Sequence, residues 1–375
     1  MVRPRSFPVR LIAVLPASLL LALAARAQGP DGPGALRPLV ERLTAADPGV
    51  RAEAACELGR RRADDASSVA GLVRLLGDDL RVGPVECGMS PWLRKLLEEK
   101  PAEWRQFETS PGREAAKALA RIGRPALDPV LAVLRDPKPM ARANAAHALG
   151  EMEAKDVRGK ALARLVDALR DDHEAVREAS ARALGEIEDA DAVAPLLATL
   201  RDSVARVRAT AAWALGEIED ARAVEPLVRA LWDDEAEVRS QAAWALGEIE
   251  DRRAVEGLMG ALKDKDREVR RQVAWALGEI EDARAVPLLA RALGDADATV
   301  RSQAAWALGE IEDGTAVVPL VASLQDTDPK VRSQAAWALG EIADPRAAGA
   351  LASALKDASA VVRKQAAWAL GEMKE

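Results

Sequence analysis

Tyrosine is absent from this 375-residue chain, and phenylalanine, histidine and cysteine occur only twice each. A metal centre needs three or four convergent ligands. His147 and His173 stand apart, and Cys56 and Cys87 form no CxxC and neighbour no histidine. Neither metal nor cofactor is expected. No GxGxxG or Walker pattern provides a phosphate loop, and no GxSxG elbow exposes an activated serine. Basic tracts are missing as well. With a formal charge of −7, the chain is ill suited to nucleic acid, whose binding rests on neutralising phosphates.

The first 27 residues read differently from the rest. Arg3, Arg5 and Arg10 precede an apolar run over 11–25, and Ala25-Arg26-Ala27 gives a small-x-small site before Gln28. This is the pattern of a secretory signal peptide, too short and too interrupted by proline to make a convincing membrane span. Beyond it no second long apolar run occurs. Removing 1–27 takes away Arg3, Arg5, Arg10 and Arg26 but no acid, so the formal charge moves from −7 to −11. The mature chain is expected in the periplasm or outside the cell. In that oxidising setting an isolated cysteine pair reads as a disulfide, which here would join Cys56 to Cys87.

What the chain has in abundance is repetition. The words ATAAWALGEIED, SQAAWALGEIED, RQVAWALGEIED, SQAAWALGEIED and SQAAWALGEIAD follow one another. They set Trp213, Trp244, Trp275, Trp306 and Trp337 31 residues apart, and Trp368 adds a sixth. Such a period means stacked supersecondary units, each burying its apolar face only against its neighbours. In the unit over 251–281, Val255, Leu258, Met259 and Leu262 form one helical stripe. Val269, Val273, Ala276, Leu277 and Ile280 form a second, and a short polar connection at 264–266 separates the two. The second-helix word stays legible further upstream, around Arg182, His147, Lys117 and Cys56. The expectation is an all-α solenoid of about ten 31-residue helical hairpins, filling 28–375 as one array. Four extra residues near 154–159 and an insertion at about 79–110 break the period.

The unit resembles the short HEAT-like repeats of phycobilin lyases, deoxyhypusine hydroxylases and artificial libraries built on the same consensus. One marker of those repeats is an Asp at the end of the first helix with an Arg six residues later. It recurs as Asp136/Arg142, Asp171/Arg177, Asp202/Arg208, Asp233/Arg239, Asp264/Arg270, Asp295/Arg301, Asp326/Arg332 and Asp357/Arg363. The resemblance implies a charge ladder through the stack, with charge-assisted bonds fixing the register of the hairpins. A glycine in every copy (Gly216, Gly247, Gly278, Gly309) costs about 1 kcal/mol against Ala inside a helix, so its return implies close backbone approach. The hydroxylases hold two irons with His-Glu pairs at the start of their second helices. The matching positions here are Ser240-Gln241, Arg271-Gln272, Ser302-Gln303, Ser333-Gln334 and Lys364-Gln365, which lack those ligands. For the tetrapyrrole of a bilin lyase no residue argues. A non-catalytic protein is therefore expected.

The tryptophans are the candidate site. At 100° per residue, Val238, Ala242, Ala245, Leu246 and Ile249 share the buried side of one second helix. Trp244 points away from them, with Ser240, Gln241 and Glu248 on its own side. Gln303 and Gln334 repeat Gln241. By the resemblance, the second helices line a concave face, and this register is where designed libraries place partner contacts. Each ring is expected to pack partly on the next unit, leaving one face open, with its N–H reaching the nearby Gln or Glu. Two functions fit such a stripe. One is an exported scaffold holding a protein or peptide, since Trp is the residue most enriched at binding hot spots. The other is a binder of carbohydrate or envelope polymer, with indoles stacked on sugar rings.

Overall fold

The computed structural model describes residues 33–83, 85, 109–152 and 155–373. Among these residues the regular structure is α- and 3₁₀-helix, apart from one isolated antiparallel bridge between Val82 and Thr109. The array is the all-α solenoid that the period predicts. We number its ten hairpins by their second helices: Pro48–Arg60, Pro111–Ile122, Pro139–Gly150, Glu174–Ile187, Ala205–Ile218, Ala236–Ile249, Arg267–Glu279, Ala298–Glu310, Pro329–Ile342 and Ala360–Glu372.

Local chemistry sets the shape of each hairpin. In unit 6 the Asp220 carboxylate accepts the Arg222 N–H at 2.8 Å, which starts a 3₁₀ turn over Ala221–Ala223 that passes into the helix Val224–Ala230. Ala236–Ile249 then runs back and stops at Glu250, whose left-handed backbone (φ 53°) lets its N–H reach the Gly247 carbonyl. The same left-handed stop recurs at Glu188, Glu219, Glu281, Glu312 and Ala343. The extra residues of unit 4 are taken up in its first helix, which is one continuous α-helix over Lys155–Ala168.

Leu, Val and Ala of both helices form one apolar core that runs the length of the stack. Consecutive second helices lie directly against one another, whereas consecutive first helices barely meet. Gly247 shows how close the second helices come. A Cβ there would stand 2.6 Å from Trp275 Cζ3 and 3.0 Å from Ala276 Cα. Gly216, Gly278, Gly309 and Gly340 meet Trp244, Trp306, Trp337 and Trp368 in the same way. Close approach is thus why this position is glycine.

The Asp–Arg ladder is present, with a connectivity that the pairs in sequence do not give. Arg239 Nη1 donates to the backbone carbonyl of Asp233, six residues before it, at 2.8 Å. Its Nε and Nη2 donate instead to the carboxylate of Asp264 in the following unit, at 2.6 and 2.9 Å. Arg142, Arg177, Arg208, Arg270, Arg301 and Arg332 repeat the crossing, to Asp171, Asp202, Asp233, Asp295, Asp326 and Asp357. Unit 2 departs from the rule. Its ladder position, five residues before Lys117 of the tryptophan register, is Gly112, so this position sends no arginine on to Asp136; Glu114, two residues later, is buried and accepts from Thr109 Oγ1 and Lys117 Nζ.

At the base of the insertion, Val82 and Thr109 exchange backbone hydrogen bonds of 2.9 and 3.0 Å. Cys56 is buried and disulfide-bonded. Its expected partner Cys87, most of the 79–110 insertion and the expected leader 1–27 lie outside the described residues. No helix among the described residues is long and apolar enough to cross a membrane.

Candidate binding face

The six tryptophans stand in one register along units 5 to 10. Trp213, Trp244, Trp275, Trp306 and Trp337 are half-buried, and Trp368 is 36% exposed. Each ring rests on the glycine of the preceding unit. The expectation of packing on the next unit therefore has the direction reversed. The reason is steric: the missing side chain of the glycine upstream leaves room for the ring edge. The seam and the face share the same indoles, since their remaining surface stays open.

A glutamate follows five of the indoles one turn further along the same helix: Glu217 after Trp213, Glu248 after Trp244, Glu279 after Trp275, Glu310 after Trp306 and Glu341 after Trp337, each indole acting on its carboxyl. Burial pushes the pKa of these carboxyls upward, and neighbouring acids push it further. Glu248 feels Glu217, Glu219 and Glu250. None of the five has an ion-pair partner among the described residues. Gln241, Gln303 and Gln334 lie half-buried one turn before their tryptophans. The face is thus an aromatic row beside a carboxylate row without countercharge.

The ladder ends upstream of Trp213. Arg182 takes the tryptophan register in unit 4 and lays its guanidinium 4.9 Å from the centre of the Trp213 ring. His147 takes the register in unit 3. Here the second-helix face opens into a polar hollow of about 870 Å³, bounded by Arg113, His147, Arg182, Glu186 and the Glu178–Arg206 pair (2.7 Å). Glu186 lies over Gly150, in the space that a tryptophan fills in later units. Its Oε2 is buried and finds no hydrogen-bond donor, and burial with Glu151 nearby raises the carboxyl to about 7. Burial, then Arg113 and Arg182, lower His147 to about 4. The Arg113 side chain has no partner among the described residues.

Sequence reasoning missed this hollow. It set His147 aside as structural and did not consider Arg182 or Glu186. The available signal was the loss of tryptophan from the register at Arg182 and His147. His173, by contrast, is an N-cap: its Nδ1 accepts the Ala175 N–H at 3.2 Å. No cluster of three or more metal-ligating side chains occurs among the described residues.

Known proteins point to the fold. A profile of the family described as HEAT repeats matches residues 90–173, 162–240, 233–309 and 286–371. Curated proteins give no match. Among solved structures, Escherichia coli YibA is 22% identical over 69% of this chain and 95% of its own, with a TM-score of 0.51. Kap95p, solved with RanGDP, is 15% identical over 95% of this chain and 53% of its own, with a TM-score of 0.56. Human deoxyhypusine hydroxylase is 28% identical over 66% of this chain and 96% of its own, but its TM-score is 0.31. These likenesses concern the fold.

Proposed function

Because the chain belongs to the HEAT-repeat family, we propose that it is a non-catalytic scaffold holding an extended, positively charged peptide or protein segment along its tryptophan face. The observation that carries this reading is the row Glu217, Glu248, Glu279, Glu310 and Glu341 beside half-buried indoles, without a basic partner among the described residues. Lysines or arginines of a partner would relieve the mutual repulsion of these acids and stack on the rings. The tight contact among second helices supports a concave shape on that side. Kap95p, which shares the fold, binds a protein, RanGDP. The leader-like text of 1–27 and the disulfide at Cys56 support export to the periplasm or beyond.

Peptide binding tests the reading. Lys/Arg-rich peptides should bind the mature chain, more weakly as salt rises, and Glu-rich peptides should not. Changing Glu217, Glu248, Glu279 and Glu310 to Gln should weaken binding without lowering the melting temperature. Equal binding of basic and acidic peptides would sink the proposal. Glycans bound in place of peptides would favour the carbohydrate reading.

A further inference from the structure

We propose that the hollow at the end of the tryptophan row receives the free C-terminal carboxylate of the held peptide, on the guanidinium groups of Arg113 and Arg182. This rests on the scaffold reading and adds direction to it, with the peptide ending toward unit 3.

Four observations converge. The hollow opens on the same second-helix face as the row and touches it directly, since Arg182 lies on Trp213. Two of its four guanidiniums are uncommitted in different ways. Arg113 has no partner among the described residues, and Arg182 lies on the Trp213 ring, with the Glu186 carboxyl within its field but not in an ion pair with it. Of the other two arginines that line it, Arg206 is held by Glu178 at 2.7 Å and Arg81 has an interaction of its own. Both free guanidiniums act on His147, so one ligand group seated near the imidazole lies within the field of both. A planar fork of N–H donors suits a carboxylate.

At about 870 Å³ the hollow has the size of a small-ligand pocket, typically about 300–1,000 Å³. A carboxylate is also the group that the glutamate row repels everywhere else on the face. Electrostatics alone would therefore orient a basic peptide with its terminus at Arg113 and Arg182.

The test compares one Lys/Arg-rich peptide as its free acid and as its C-terminal amide, by calorimetry on the mature chain. N-acetyl-Ala-Ala with a free carboxylate serves as a probe of the hollow alone. Amidation should cost about tenfold or more in affinity, within the range of a charge-assisted hydrogen bond. Arg113→Gln should abolish the difference without changing the melting temperature, because this side chain has no partner among the described residues. Equal affinity of acid and amide would overturn the inference and leave the scaffold reading standing. Arg113-dependent binding of N-acetyl-Ala-Ala, with no basic peptide bound, would support the hollow as a carboxylate site and sink the scaffold reading. If neither probe binds, the hollow is not a carboxylate site.

Discussion

Gly247 and Trp275 form one contact between two units, and neither residue explains itself alone. Replacing glycine by alanine in a helix ordinarily gains about 1 kcal/mol. Here the added carbon would meet a rigid ring edge at 2.6 Å and the Cα of Ala276 at 3.0 Å. We expect Gly247→Ala to lower stability by about 1–2 kcal/mol, as overpacking does, and the Gly247→Ala/Trp275→Leu double variant to lose less than the two singles summed. Urea midpoints measure both, and a stabilised Gly247→Ala would refute the contact account. Glu186 carries the second expectation at this scale. Its carboxyl is raised to about 7, so the folded state holds a proton that the unfolded chain releases from about pH 4.5. Stability from this group is present below that range and is lost as pH rises towards 7. Glu186→Gln should therefore melt higher than the parent at pH 8 and close to it at pH 4. An equal shift at both pH values would show that the proton has no part in it.

At the scale of the hairpin, recurrence made the fold legible and concealed the exceptions. The spacing of Val255, Leu258, Met259 and Leu262 gives a helix without help from the rest of the chain, and the 31-residue step gives the stack. The partners of the ladder arginines were not legible, because sequence distance favours the Asp six residues away over the Asp of the following unit. Geometry reverses the choice: the nearer Asp offers its backbone carbonyl, and its carboxylate is turned towards the unit before. The hollow was illegible for a different reason, since its walls come from four hairpins and include residues that break the consensus, such as Arg113, His147 and Arg182. Arg239 and Asp264 test the ladder, their side chains only 6% and 10% exposed. Arg239→Leu leaves the Asp264 carboxylate with its Arg239 bonds gone, and should cost about 2–4 kcal/mol, towards the range for breaking a buried pair. A double-mutant cycle with Asp264→Asn should return a coupling of at least about 1 kcal/mol. Additive variants would mean that the ladder sets register without contributing stability.

Over the whole molecule, two rows of carboxylates pull stability in opposite directions with pH. Side-chain bonds from the arginines hold the ladder acids Asp295 and Asp326 below their ordinary range, so stability is lost as pH falls below about 4. The raised face acids Glu217, Glu248 and Glu279 lose theirs as pH climbs. The melting temperature should accordingly peak in mildly acidic buffer. The stack is also uneven along its length. A quasi-one-dimensional array is only as cooperative as its weakest interface, and the interface after unit 2 lacks its arginine. Gly112 stands in the ladder position, so the apolar core and the Asn144 bond to the Leu76 carbonyl (2.8 Å) carry that junction. Cys56 in unit 1 is disulfide-bonded, a type of cross-link typically worth about 2–4 kcal/mol. Reduction should loosen this end alone. In hydrogen exchange, the helices Pro48–Arg60 and Pro111–Ile122 should lose protection on adding reductant, while Ala236–Ile249 and Ala298–Glu310 keep theirs. Protection lost evenly from both ends would mean that the stack unfolds as a single unit and that the missing arginine has no energetic consequence.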